Sequence, residues 1–140
     1  MQFTLYADGG ARGNPGPAGS GAVVFDAGGK RVVEVADYIG IATNNVAEYE
    51  ALLRGLQALV AEFPPNHFIH TPLVIRMDSK LVIEQLKGAY KVKHPNLIPR
   101  FLEVRNILAR HFPQVTFEHV RREFNKDADA LANEARDRGA

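Results

Sequence analysis

Apolar and polar positions alternate at the start of the chain, with Phe3, Leu5 and Ala7 set against Thr4, Tyr6 and Asp8. A period of two marks a strand with one buried face. A Gly/Pro cluster follows, so Asp8 is expected where that strand ends. Ser20–Phe25 and Lys30–Ile41 read as two more strands joined by the turn Asp26-Ala27-Gly28-Gly29, which makes the opening a three-stranded antiparallel meander. The period then changes. From Asn45 to Glu62, Ala47, Ala51, Leu52, Leu56, Leu59 and Val60 recur at helical spacing until Pro64-Pro65 stop the pattern. Leu73-Val74-Ile75, between Pro72 and Asp78-Ser79, is the short apolar run of a strand covered on both faces. Helix follows through Leu86 and stops at Gly88, and another runs from Leu97 to Arg110. Val115–Val120 is a fifth strand and Asp127–Arg136 a last helix. A meander followed by two strand–helix units predicts an α/β fold, a mixed sheet with helices on its faces.

Composition narrows the chemistry. The 140 residues suit one domain spanning 1–140, and 46% hydrophobic with 24% charged residues is an ordinary globular balance. With no cysteine, disulfides, thiolate metal sites and thiol nucleophiles are excluded, and any metal must take oxygen or imidazole ligands. The net charge of +1 says little as a total, but its placement does. Lys87 to Arg110 holds six basic residues and one acidic residue, and the remainder of the chain is correspondingly acidic. No basic segment followed by an apolar stretch opens the chain, and no uncharged run approaches membrane-spanning length, so the expectation is a cytoplasmic protein away from membranes.

Four carboxylates stand out from the solvated charges. Asp8 and Asp78 each follow a predicted strand, and ligand sites in open α/β sheets lie beyond strand carboxyl ends. If the two strands are parallel neighbours, a spacing of about 4.8 Å brings both acids within reach of one metal site. The plainer readings are a turn-initiating aspartate for Asp8 and a helix N-cap for Asp78. Glu48 points in nearly the same direction as Leu52 and Leu59, inside the apolar stripe of its helix. A capping box, Asn45-x-x-Glu48, would explain it without catalysis. In the last helix, Asp129 and Asp127 flank opposite edges of the stripe Ala128, Leu131, Ala132 and Ala135, and periodicity does not choose between them. Carboxylates gathered at one sheet edge call for a hard cation, and magnesium takes such oxygen ligands. Two such ions could serve phosphoryl transfer.

Three strings carry a family resemblance: Asp8-Gly9-Gly10-Ala11-Arg12-Gly13-Asn14-Pro15-Gly16-Pro17, Thr43-Asn44-Asn45-Val46-Ala47-Glu48 and Met77-Asp78-Ser79-Lys80-Leu81-Val82. With the closing Asn125-x-x-x-Asp129-x-Leu131-Ala132, the chain resembles type 1 ribonuclease H almost throughout its length. That resemblance implies a five-stranded sheet with strands 1–3 antiparallel, 4 and 5 parallel to 1, and helices on both faces. It implies a metal-binding quartet of Asp8, Glu48, Asp78 and Asp129, and it is what selects Asp129 over Asp127. Two Mg²⁺ ions, with Mn²⁺ as the alternative, would lie between protein and scissile phosphate. The RNA strand of an RNA–DNA hybrid would be cut to leave a 3′-hydroxyl and a 5′-phosphate, with RNA duplex as a further candidate substrate. Gly9, Asn14, Thr43, Asn44, Asn45 and Ser79 are the implied substrate contacts, Thr43 at a phosphate of the DNA strand. A monomer is the simplest assembly.

The chain departs from the family pattern twice. Many members carry a histidine in a Gly-His-x-Gly loop before the last helix, where this chain reads Arg121-Arg122-Glu123-Phe124-Asn125. His119 falls inside a predicted strand and is read as structural, which leaves Arg122 or Glu123 for the auxiliary role. Many members also carry a basic protrusion containing tryptophan, whereas this chain has no tryptophan and a compact basic loop, Gly88 to Pro95. These features describe a compact subgroup. A catalytically weak nucleic-acid-binding module and a DNA nuclease of the same fold are the alternatives. Retention of all four carboxylates disfavours the first, and the Thr-Asn-Asn-x-Ala-Glu string disfavours the second.

Overall fold

The computed structural model describes residues 1–139. Strands β1 (Phe3–Ala11), β2 (Gly16–Phe25) and β3 (Arg31–Ala42) form the antiparallel meander. Helix α1 (Asn44–Glu62) leads to β4 (Leu73–Met77), then α2 (Lys80–Leu86), α3 (Ile98–His111), β5 (Val115–His119) and α4 (Lys126–Arg138). A single 3₁₀ turn, Arg122–Phe124, precedes α4. The sheet order is β3-β2-β1-β4-β5, and β4 pairs in parallel with both β1 and β5. This is the expected five-stranded mixed sheet.

The alternation along the central strands decides which helix goes where. Leu5, Ala7 and Gly9 face α1, because a Cβ on Gly9 would meet the Ala47 backbone and Gly55 of α1 packs over Leu5. Leu52, Leu56 and Leu59 of α1 join Leu5, Ile75 and Ile83 in the main core, all essentially inaccessible to water. The opposite face is built for close approach. Gly19 and Gly21 of β2 lie under α4, whose buried positions are alanines, Ala128, Ala132 and Ala135. Helices therefore cover both faces of the sheet.

One expectation changes. β1 does not end at Asp8 but pairs with β2 through Ala11↔Ala18, and β2 begins at Gly16 rather than Ser20. Gly9, Gly10 and Gly16, which read as turn signals, sit within paired strands, while Gly13 lies in the bend between them. A Cβ on Gly9 would lie 2.2 Å from the carbonyl carbon of Ala47, and one on Gly21 would lie 2.4 Å from the carbonyl oxygen of Ala128. Glycine is used here for want of a side chain.

Candidate active site

Asp8 and Asp78 meet because of strand register. The parallel ladder between β1 and β4 ends at Tyr6↔Arg76, and the same offset carries Asp8 to the position beside Asp78, just past β4. Glu48 arrives from the first turns of α1, which lies over β1. One carboxylate oxygen from each of Asp8, Glu48 and Asp78 falls within 4.8 Å of the others. Asp129, in the first turn of α4, approaches from the opposite face closely enough to hydrogen-bond Asp8. All four line a cleft of about 320 Å³. Larger hollows lie beside Tyr6 and Phe25 and beside Thr43, but neither contains any of the four.

The plainer readings of these acids do not describe the structure. Thr43 is the N-cap of α1 and its hydroxyl accepts from the Val46 amide, so Glu48 lies too far along the helix for a capping box. Ser79, not Asp78, caps α2 by accepting from the Val82 amide. Asp8 initiates no turn and is only 8% exposed. The last pair is resolved by partners: Asp127 turns outward to Arg31, at 2.8 Å, while Asp129 faces the cleft.

Among these gathered acids, with little cationic compensation, Asp8 and Glu48 hold their protons well above the usual carboxylate range. Burial foremost, then Asp78, a hydrogen bond shared with Asp129 and the charge of Glu48, push the Asp8 carboxyl up from 3.8 to about 9. Burial likewise raises Glu48 from 4.5 to about 7, against a hydrogen bond from Ser79 and with Asp78 adding to the rise. The nearest cation is Arg122, 3.8 Å from Asp129, on a side chain 80% exposed. Such a site, all oxygen donors and an excess of negative charge, fits a hard divalent cation. Metal would replace the shared protons.

The remaining expected residues divide by what they do in the protein itself. Asn44 accepts the Ala11 amide on Oδ1 and Asn14 accepts the Asn44 amide on Oδ1, so each spends its oxygen inside and presents its amide hydrogens outward. Gly9 lines the cleft against α1, Thr43 and Ser79 act as caps, and Asn45 is half-buried in the first turn of α1. Arg122 lines the cleft, whereas Glu123 pairs with Arg121 at 3.4 Å and does not. His119, at the end of β5, sets Nε2 3.3 Å from the Asp78 carbonyl oxygen. Two neighbours were given no role in the sequence reading, although Asn125 stands in its closing string. Asn133 sits one helical turn beyond Asp129 and donates to its Oδ2 at 3.4 Å, a spacing visible once Asp129 is chosen. Asn125, buried beneath the site, donates to the Asp78 carboxylate, a contact that no local pattern announces.

Comparison with known proteins identifies the family. A family described as reverse transcriptase-like matches residues 6–135. The ribonuclease HI of Halobacterium salinarum is 43% identical over 132 residues, covering 94% of this chain and 63% of that protein. The chain belongs to the type 1 ribonuclease H family. A bifunctional protein of Mycobacterium tuberculosis is 46% identical over the whole of this chain, which spans only 37% of its length. Among solved structures, the ribonuclease H1 known as LC11, isolated from compost and crystallised with an RNA/DNA hybrid, superposes with a TM-score of 0.91 at 45% identity, covering 97% of each chain. The fold is thus that of a ribonuclease H domain.

Proposed function

We propose that this ribonuclease H domain is an endonuclease that hydrolyses the RNA strand of RNA–DNA hybrids, leaving a 3′-hydroxyl and a 5′-phosphate. The observation that carries the reading is the convergence of Asp8, Glu48 and Asp78 within 4.8 Å, with Asp129 closing the cleft from α4. Those four would hold two divalent ions, Mg²⁺ or Mn²⁺. When bound, such ions supply activation of a water and stabilisation of the leaving oxygen.

The chain's own groups do the rest. Asn14 and Asn44, with their oxygens held internally, offer Nδ2–H donors to the acceptors of the hybrid, and the RNA 2′-hydroxyl is the group that distinguishes the two strands. Asn45 lies beside them, and the Thr43 hydroxyl, oriented by its cap, is placed for a phosphate of the DNA strand. Gly9 lets α1 and the cleft wall approach each other. Ser79, whose hydroxyl also steadies the Glu48 carboxylate, completes the substrate contacts. Arg122, exposed and beside Asp129, takes the auxiliary role in place of the loop histidine by neutralising phosphate, and its geometry favours it over Glu123. The basic loop from Gly88 to Pro95 adds backbone attraction, in keeping with a compact subgroup. Among the described residues no helix is long and apolar enough to cross a membrane. We place the domain in the cytoplasm, acting as a monomer.

The test incubates labelled RNA–DNA hybrid, RNA duplex, DNA duplex and single strands with Mg²⁺, Mn²⁺ or chelator. Cleavage confined to the RNA strand of the hybrid, lost in chelator and abolished by Asp8→Asn with hybrid binding retained, is the expected outcome. Binding without cleavage in either metal would identify a binding module, and cleavage of DNA duplex a DNA nuclease.

A further inference from the structure

Asn125 stands at the junction of three of the elements that carry the carboxylates, yet it does not behave as its position would suggest. It is the N-cap of α4, where asparagine is favoured because its side-chain oxygen accepts from the first free amides of the helix. No such bond forms. The side chain turns the other way, into the protein, and is 1% exposed. Its Nδ2 donates to the carbonyl of Ala7 at 3.0 Å and to Oδ1 of Asp78 at 3.3 Å, while its Oδ1 has no partner. Reversing the amide would set an oxygen against two acceptors, so the orientation is dictated by its neighbours. A buried acceptor left unpaired is a cost the fold carries at few places.

What the side chain holds explains the cost. Ala7 precedes Asp8 and lies just past the last register pair between β1 and β4. Asp78 follows β4, and the backbone carbonyl of Asn125 accepts the amide of Asp129 at 3.1 Å in the first turn of α4. One residue therefore ties the ends of two strands to the helix that brings the fourth acid. We infer that Asn125 is a positioning residue of this site, whose buried amide orients the Asp78 carboxylate and anchors the start of α4 against β1 so that Asp8, Asp78 and Asp129 face one another. It touches neither substrate nor metal and acts through the acids it holds.

The inference deepens the metal-dependent reading above and rests on it for its catalytic consequence, so its test reads metal binding as well as turnover. Mn²⁺ binding to the substrate-free protein is measured by titration calorimetry, alongside kcat and KM on hybrid, for wild type, Asn125→Ser and Asn125→Ala. Serine restores a group able to cap α4 but removes both amide donors, so it separates capping from positioning. The expected result for Asn125→Ser is a melting temperature close to that of wild type, with Mn²⁺ affinity and kcat each lowered roughly 10- to 100-fold, the range for partners of metal-holding groups. KM for hybrid should be nearly unchanged. In an Asp78→Asn background, Asn125→Ser should cost little further Mn²⁺ affinity, because the group through which it acts is gone. Wild-type Mn²⁺ binding and turnover in Asn125→Ser, or losses additive with Asp78→Asn, would overturn the inference. Should Asn125→Ala not fold, the serine variant alone carries the comparison. If the wild-type protein cleaves no hybrid while Asn125→Ser still loses Mn²⁺ affinity, the positioning role stands and the proposed activity does not.

Discussion

Two aspartates a helical half-turn apart, Asp127 and Asp129, show how much rides on partners at the level of single residues. Asp127 pairs with Arg31 across an exposed gap, an arrangement worth less than about 1 kcal/mol. Asp129 shares a hydrogen bond with buried Asp8 and has Arg122 as its nearest cation. Asp129→Asn should therefore lower hybrid cleavage at least ~100-fold by the measure of displaced metal partners, and Asp127→Asn should leave both rate and melting temperature close to wild type. A severe Asp127→Asn would show that the wrong acid has been placed in the cleft. Arg122→Ala should keep the fold, since the side chain is 80% exposed, and slow cleavage about tenfold, equivalent to ~1.4 kcal/mol at the transition state. Unchanged kinetics would remove Arg122 from the site. The identities of the acids were legible in the chain from strand ends, helical phase and motif. Their partners were not, because Arg31 and Asp127 are 96 positions apart in sequence.

Among the elements, β1 carries the main lesson. Its first half is plain from alternation, but its second half contains Gly9 and Gly10, which local rules assign to a turn. The strand continues because α1 crosses it so closely that no side chain fits at Gly9. Gly9→Ala drives a methyl group into the backbone of Ala47 and should destabilise at or beyond the ~3 kcal/mol upper end of ordinary overpacking, read as a large fall in denaturation midpoint. A Gly10→Ala control, whose Cβ would come no nearer than 3.9 Å to Asn44 Oδ1, should be mild. Equal effects at the two positions would mean that strand propensity rather than helix approach governs this segment. The helix starts were offset for a related reason. α1 begins at Asn44 under the Thr43 cap, one residue before the expected start at Asn45 and three before the stripe opens at Ala47, because a stripe reports the buried face and a cap reports the end.

For the molecule as a whole, the carboxylate cluster ties stability to pH and to metal. Asp8 is raised from 3.8 to about 9, so between those values the folded protein holds a proton that the unfolded chain releases. Stability contributed by this group then falls as pH rises through that window, the reverse of a salt-bridged aspartate. In chelator, Asp8→Asn should be more stable than wild type at pH 8, with the gap closing toward pH 4, and Mg²⁺ should shrink the gap by stabilising wild type alone. Denaturation curves across pH check this, and a gap independent of pH would contradict it. By itself the sequence determined the element types, the meander, the mixed sheet and Asp8, Glu48 and Asp78 as candidate acids, with Asp129 preferred by motif alone, because periodicity and contiguous motifs are local properties of the chain. Only the tertiary structure decided that β1 runs on past Asp8, that Asp129 rather than Asp127 faces the cleft by geometry, and that Asn125 turns from its own helix to hold Asp78. Each of those outcomes depends on register and on the distance between elements remote in sequence, and no local pattern carries that information.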